Sequence, residues 1–154
     1  MRAQVWSLDF IVALAVVLLC TSLFAVSVAR SNPDTGTAEL STVAAKISEH
    51  LMSEGYPSSW TEGDVKRIGI TDANWRINET KIDQLYTLPQ AKLRHVLGTQ
   101  KNTYVTLRNG SEIMTIAGNP FVGKEPDDAR YVAVVKRYVI YKGDIMELRV
   151  VAWE

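Results

Sequence analysis

Apolar residues follow three different rhythms along this chain. From Phe10 to Ala29 the sequence reads FIVALAVVLLCTSLFAVSVA, with no charge and only Thr21, Ser22 and Ser27 polar. A helix of 20 residues at a rise of about 1.5 Å each is roughly 30 Å long, the thickness of a bilayer's hydrocarbon core. The spacing therefore predicts a transmembrane helix over 10–29. Farther on, Leu40, Val43, Ala44, Ile47 and Leu51 recur at helical spacing. This predicts an amphipathic helix from Ala38 to Ser53 whose stripe packs on a sheet. In the last third the period drops to two: Met146, Leu148, Val150 and Ala152 alternate with Glu147 and Arg149. That pattern predicts a strand with one buried and one wetter face.

Punctuation residues divide the rest. Ser31 to Gly36, with Pro33 and Gly36, reads as a breaker that ends or kinks the first helix. Gly55 to Trp60 reads as a loop, after which Thr61 is positioned to cap a short helix through Arg67, closed near Gly69. Asn74 to Ile77 is a short extended piece, and Asn78 caps a helix running to about Leu88. Pro89 suits the first turn of a further helix, Gln90 to Leu97, with Arg94 and His95 near its end and Gly98 as the stop. Tyr104 to Arg108, Asn109-Gly110 and Glu112 to Ile116 form one expected hairpin. Arg130 to Tyr141 and Ile145 to Trp153, around Lys142-Gly143-Asp144, form a second, and Gly118 to Asp128 is an expected loop. The expectation is α+β: a hydrophobic transmembrane helix, then an antiparallel sheet packed on helices. The expected divisions are a leader and flank (1–9), a helix (10–29) and an extracytoplasmic α+β domain (30–154).

Composition narrows the function classes. The 154 residues hold 17 Lys and Arg against 17 Asp and Glu, a formal net charge of zero. A nucleic-acid binder driven by phosphate neutralisation would show a basic excess, so no nucleic-acid partner is expected. One cysteine and two histidines leave neither a disulfide framework within the chain nor a thiolate zinc cluster. The hydrophobic fraction, 47%, is ordinary, but 17 of those residues lie within 10–29. Without them the remainder is a polar head.

The flank of the apolar segment admits three readings. Ser27-Val28-Ala29 offers small residues for signal peptidase. An uncleaved anchor is the second, and a leader cut before the apolar run, leaving the helix in the mature protein, is the third. Asp9 separates them, because a signal peptide's flank should be positive, whereas ionisable residues at membrane helices are functional candidates. Arg2 and the amino terminus make the short flank slightly positive, which places the C-terminal domain outside.

Arg2-Ala3-Gln4-Val5-Trp6-Ser7-Leu8-Asp9-Phe10 resembles the leader of archaeal class III signal peptide proteins, the type IV pilin-like subunits of euryarchaea. Their pattern is a basic residue, a small residue, Gln, then Ser and an acidic residue ahead of the apolar run. The resemblance implies a prepilin peptidase cut between Ala3 and Gln4, with the helix retained and the head extracytoplasmic. Ala3 stands for the usual Gly and Asp9 for the usual Glu, one residue later than the commonest spacing. These departures point to a divergent or minor subunit rather than a major structural pilin. The segment from Gly55 to Gly98, with its Pro and Trp loop and an Asn-initiated helix holding Lys81, is similar to parts of such surface proteins. The implied partners are the membrane, the peptidase and other pilin-like subunits through the N-terminal helix. In such packing a neighbour's freed α-amino group can pair with Asp9, setting register more than adding stability. The alternative is a single-pass anchored or secreted binding module.

Chemistry elsewhere is sparse. His50 and His95 stand alone on expected helices, with no HExxH, GxSxG, P-loop or GxGxxG pattern, so no enzyme, cofactor or metal is expected. Glu125, Asp127 and Asp128 lack EF-hand spacing. Trp60, Trp75, Tyr56, Tyr86 and Tyr104 are dispersed and read as core and loop anchors rather than a stacking platform. Cys20 reads as an inert apolar residue of the span. Asn78-Glu79-Thr80 and Asn109-Gly110-Ser111 are N-glycosylation sequons, although Asn78 doubles as a helix cap and Asn109 as a turn residue.

Overall fold

The structure, a computed structural model, describes the backbone of residues 2–31 and 35–154 and the side chains of 9–29, 36–72 and 74–154. The chain divides into two units, Met1–Asp34 and Thr35–Glu154. The first is a single helix, α1 (Arg2–Ser31). The expected breaker at Ser31 to Gly36 falls partly on residues 32–34, outside the described residues.

The second unit begins with α2 (Thr35–Leu51), which starts three residues ahead of its expected position. Of its stripe, Leu40, Ala44, Ile47 and Leu51 are each at most 1% exposed, and Val43 is partly buried against the same core. Contacts run from this face to strands β4 (Val132–Tyr141) and β5 (Asp144–Trp153). Removing side chains of this size from water contributes about 1.5–3 kcal/mol for each large one, which holds a helix with otherwise modest intrinsic preference.

Beyond α2 the chain makes irregular turns over 52–77. The expected helix from Thr61 to Arg67 does not form. Thr61 N and Oγ1 donate to Asp64 Oδ1 at 2.6 and 2.9 Å, so the carboxylate of Asp64, rather than Thr61, organises a turn. Two backbones then approach closely at Gly69, where a Cβ would collide with Gly55 N and Ser53 O. Glycine is required there by contact rather than by conformation. The expected extended piece starts instead as a 3₁₀ turn (Ala73–Trp75) with Asn74 and Trp75 at positive φ, and only Arg76 and Ile77 are extended.

The helices α3 (Glu79–Thr87) and α4 (Gln90–Leu97) form where expected. Asn78 caps α3 by accepting from Lys81 N, and Gly98 closes α4 in the left-handed region at φ 63°. They bury Ile82, Leu85, Leu93 and Leu97 in the same core.

The sheet is antiparallel, with five strands and not closed. Its order is β2 (Glu112–Ile113), β1 (Asn102–Asn109), β5, β4, and β3 (Val122–Gly123) also pairs with β1. The α+β expectation is met. Lys142 and Gly143 both take positive φ, the geometry a two-residue hairpin between β4 and β5 demands. In the β1–β2 hairpin Asn109 pairs with Glu112, so the turn is Gly110-Ser111, one residue later than expected. β3 lies inside the segment expected to be loop. Met146, Leu148, Val150 and Ala152 are buried as the alternation predicts. On the opposite face Val151 and Trp153 are buried too, because the 121–124 segment folds back and Trp153 Nε1 donates to Lys124 O at 3.1 Å.

Candidate functional site

Two places carry chemistry, one in each unit. In α1 the stretch Asp9–Ala29, 21 residues with a mean hydropathy of 2.7, is long and apolar enough to cross a membrane. None of it is buried: Phe10 is 70% exposed, Leu18 61% and Phe24 72%. Its hydroxyls need no outside partner, since Thr21 Oγ1 donates to Val17 O at 2.9 Å and Ser22 Oγ to Leu19 O at 2.8 Å. That self-sufficiency is what a helix in hydrocarbon requires. Asp9 stands exposed at the head of this span, and Cys20 is exposed within it. The side chains of Ala3 and Gln4, the expected cleavage pair, lie outside the described residues.

The second place is a cleft of about 580 Å³ between the 54–61 loop and the first turns of α3. Trp60 forms its floor, 1% exposed, with Nε1 donating to Gly69 O at 2.7 Å. At its wall Asp72 accepts two hydrogen bonds, from Lys81 Nζ at 3.0 Å and Asn78 Nδ2 at 3.0 Å. The bond from Asn78, then that from Lys81, hold the Asp72 carboxyl below its ordinary range. A carboxylate beside the N-terminus of α3 also meets the positive end of the helix dipole. Lys81 itself is 7% exposed, a burial that a lysine tolerates when its charge is paired. Gln84 Oε1 is buried without a hydrogen-bond partner among the described residues. The cleft thus combines a held ion pair, hydroxyls and an acceptor, an arrangement suited to hydrogen-bonding a polar small molecule.

The Asp72–Asn78–Lys81 network was missed in the sequence. In the sequence Asn78 reads as a cap and Lys81 as part of its helix, and nothing local marks Asp72 as their shared acceptor. Both sequons are placed differently. Asn78 uses its oxygen on Lys81 N and its amide on Asp72, whereas Asn109 is exposed beside the β1–β2 turn.

The other candidates stay apart. His50 Nδ1 is buried without a hydrogen-bond partner among the described residues, and burial first, then Lys46 and Arg67, lowers its pKa. His95 is exposed near the end of α4, which Gly98 closes by bonding Arg94 O and His95 O. Glu125, Asp127 and Asp128 are exposed, and no His, Cys, Asp and Glu grouping able to hold a metal occurs among the described residues. The aromatics serve separate contacts. Tyr86 Oη accepts from Leu107 N at 3.2 Å, and burial pushes its pKa to about 12. Tyr104 packs against Phe121 with rings tilted by 40° and centroids 5.1 Å apart, while Tyr56 and Trp75 are exposed.

Together these features define a class: a chain with one N-terminal apolar helix fit to span a membrane and an α+β head built on an open antiparallel sheet. The chain matches no protein-family profile, no curated protein and no solved structure.

Proposed function

We propose that the chain is a non-enzymatic, pilin-like subunit of an archaeal type IV filament or related surface assembly, in the role of a minor component. It is a single-pass membrane protein with its head outside. The observation that carries this reading is α1: a 21-residue apolar span, uncovered along its whole length, with a carboxylate at its head. The Gln4 to Asp9 flank, which resembles a class III leader, adds to it. A helix apolar all round needs lipid or other helices, and a filament subunit uses both in turn, first as an anchor and then as a packing surface. On this reading Asp9 pairs with the α-amino group freed on a neighbour.

The test is expression of the full chain with and without a prepilin peptidase. Loss of the three residues before Gln4 supports the reading, and an unchanged mass with active peptidase contradicts it. The cleft at Asp72 and Lys81 favours a second reading, an anchored or secreted binding module acting on its own. That reading expects no processing before Gln4.

A further inference from the structure

The two edges of the sheet are treated differently. The outer edge of β1 is closed along its length. Thr103 O accepts from Lys124 N at 2.8 Å, β3 pairs at Tyr104 and Val105, and Tyr86 Oη takes Leu107 N. Leu107 O accepts from Met114 N at 2.8 Å, and β2 pairs at Arg108 and Asn109.

Among the described residues the outer edge of β4 is closed at one point, where Ile140 O accepts from Ile77 N at 2.8 Å. Residues alternate in the direction of their backbone groups. Tyr131 exchanges both hydrogen bonds with Glu154, so odd-numbered residues of β4 face β5 and even-numbered ones face outward. Val132, Val134, Lys136 and Tyr138 therefore present N–H and C=O groups at an edge with no backbone partner among the described residues. Their side chains share the face of the sheet opposite the one that buries Ala133 and Val139 with the α2 stripe. Val132 is 43% exposed, Val134 50% and Tyr138 68%. Lys136 puts a charge on this edge, but Val132 to Val135 carry none and leave an open ladder, a ready template for another strand.

We propose that β4 pairs antiparallel with β4 of a second copy of this chain, about a two-fold axis at Val134. A copy carries the same open edge, already extended, so pairing orders no new segment. Charge and bulk select the register. Centring on Lys136 would oppose two ammonium groups, a destabilising pair. Centring on Val134 sets Val134 against Val134 and Lys136 against Val132, and stays clear of the Ile77–Ile140 closure. Lys136 keeps its own Glu147 at 3.4 Å, a carboxylate it shares with Arg149 at 2.8 Å, so each Lys136 enters the seam already paired. Three residue pairs add about six backbone hydrogen bonds and continue the sheet from one head into the next. The proposal stands on the head alone and does not depend on leader processing.

The test uses the full chain in its membrane with Cys20→Ser, so that a single introduced cysteine reports. With Val134→Cys, a short thiol-to-thiol cross-linker should give a dimer of this chain. Asn109→Cys, on β1 across the sheet from β4, should give none. Equal yields at both positions, no dimer at either, or Val134→Cys capturing only other proteins would each overturn the proposal. Val134→Pro removes only an outward N–H, a change an edge strand tolerates. It should abolish the dimer in detergent while leaving the head's near-UV circular dichroism unchanged. A dimer that survives Val134→Pro overturns the role of the edge, and if that variant does not fold, Val134→Lys, an exposed change opposing two ammonium groups, is read in the same way.

Discussion

Helices α1 and α2 lie close together in the chain and are opposites in how they are satisfied. In α2 the apolar residues make a stripe, and Leu40, Ala44, Ile47 and Leu51 are buried beneath it. In α1 they surround the axis, and none is buried. The hydrophobic effect stabilises the first within the head and leaves the second in need of a solvent other than water. A helix's periodicity thus distinguishes a folding element from an anchoring or assembling one, even where both are continuous.

The strongest challenge to that contrast is paired truncation. Ile47→Ala should lower the head's unfolding free energy by about 2–5 kcal/mol, read by denaturant titration of Trp fluorescence in detergent. Leu18→Ala should leave the same transition within about 0.5 kcal/mol. Equal losses would erase the distinction between the helices. A charge reverses the sensitivity: Leu18→Arg should cost about 2.5–3.5 kcal/mol of membrane insertion. Its measure is the chain's share in the membrane fraction, and full retention there would contradict a spanning role.

Within the head, Gly69→Ala forces the 53–55 backbone away and should cost about 1–3 kcal/mol, as overpacking does, seen as a lower Tm. The smallest effect belongs to the cleft. The folded state lowers the pKa of Asp72, so its pairing contributes stability above the ordinary value, about 3.9, and loses it as pH falls through the folded value. Asp72 is half exposed, so Asp72→Asn should cost no more than about 1 kcal/mol at pH 7. The difference from the parent should shrink as pH falls through that folded value. A penalty that grows in acid would place the stabilising charge elsewhere.

Much of the architecture was legible because it rests on local rules. The α2 stripe, the Asn78 cap, the Gly98 stop and the β4–β5 hairpin each follow from residues within a few positions of one another. What escaped was set by distant contacts. Thr61 looks like a cap, but Asp64 captures its N–H and hydroxyl, and the chain turns instead of coiling. Val122 and Gly123 form a strand only because β1 lies beside them. Val151 and Trp153 break the polar half of the alternation because a remote segment covers them. The cleft was hidden for the same reason, since Asp72 meets Lys81 across a turn whose shape the sequence pattern does not announce. Of the proposed assembly site, the span and Asp9 were visible as composition. The open edge of β4 became visible only once the strand order was known.

The central claim is that the apolar helix remains part of the working protein, with its leader removed ahead of it. Mass spectrometry of the mature N-terminus, on protein extracted from native membranes, tests this most directly. The account predicts a chain beginning at Gln4 with residues 10–29 still attached. A chain beginning at Arg30 would contradict it.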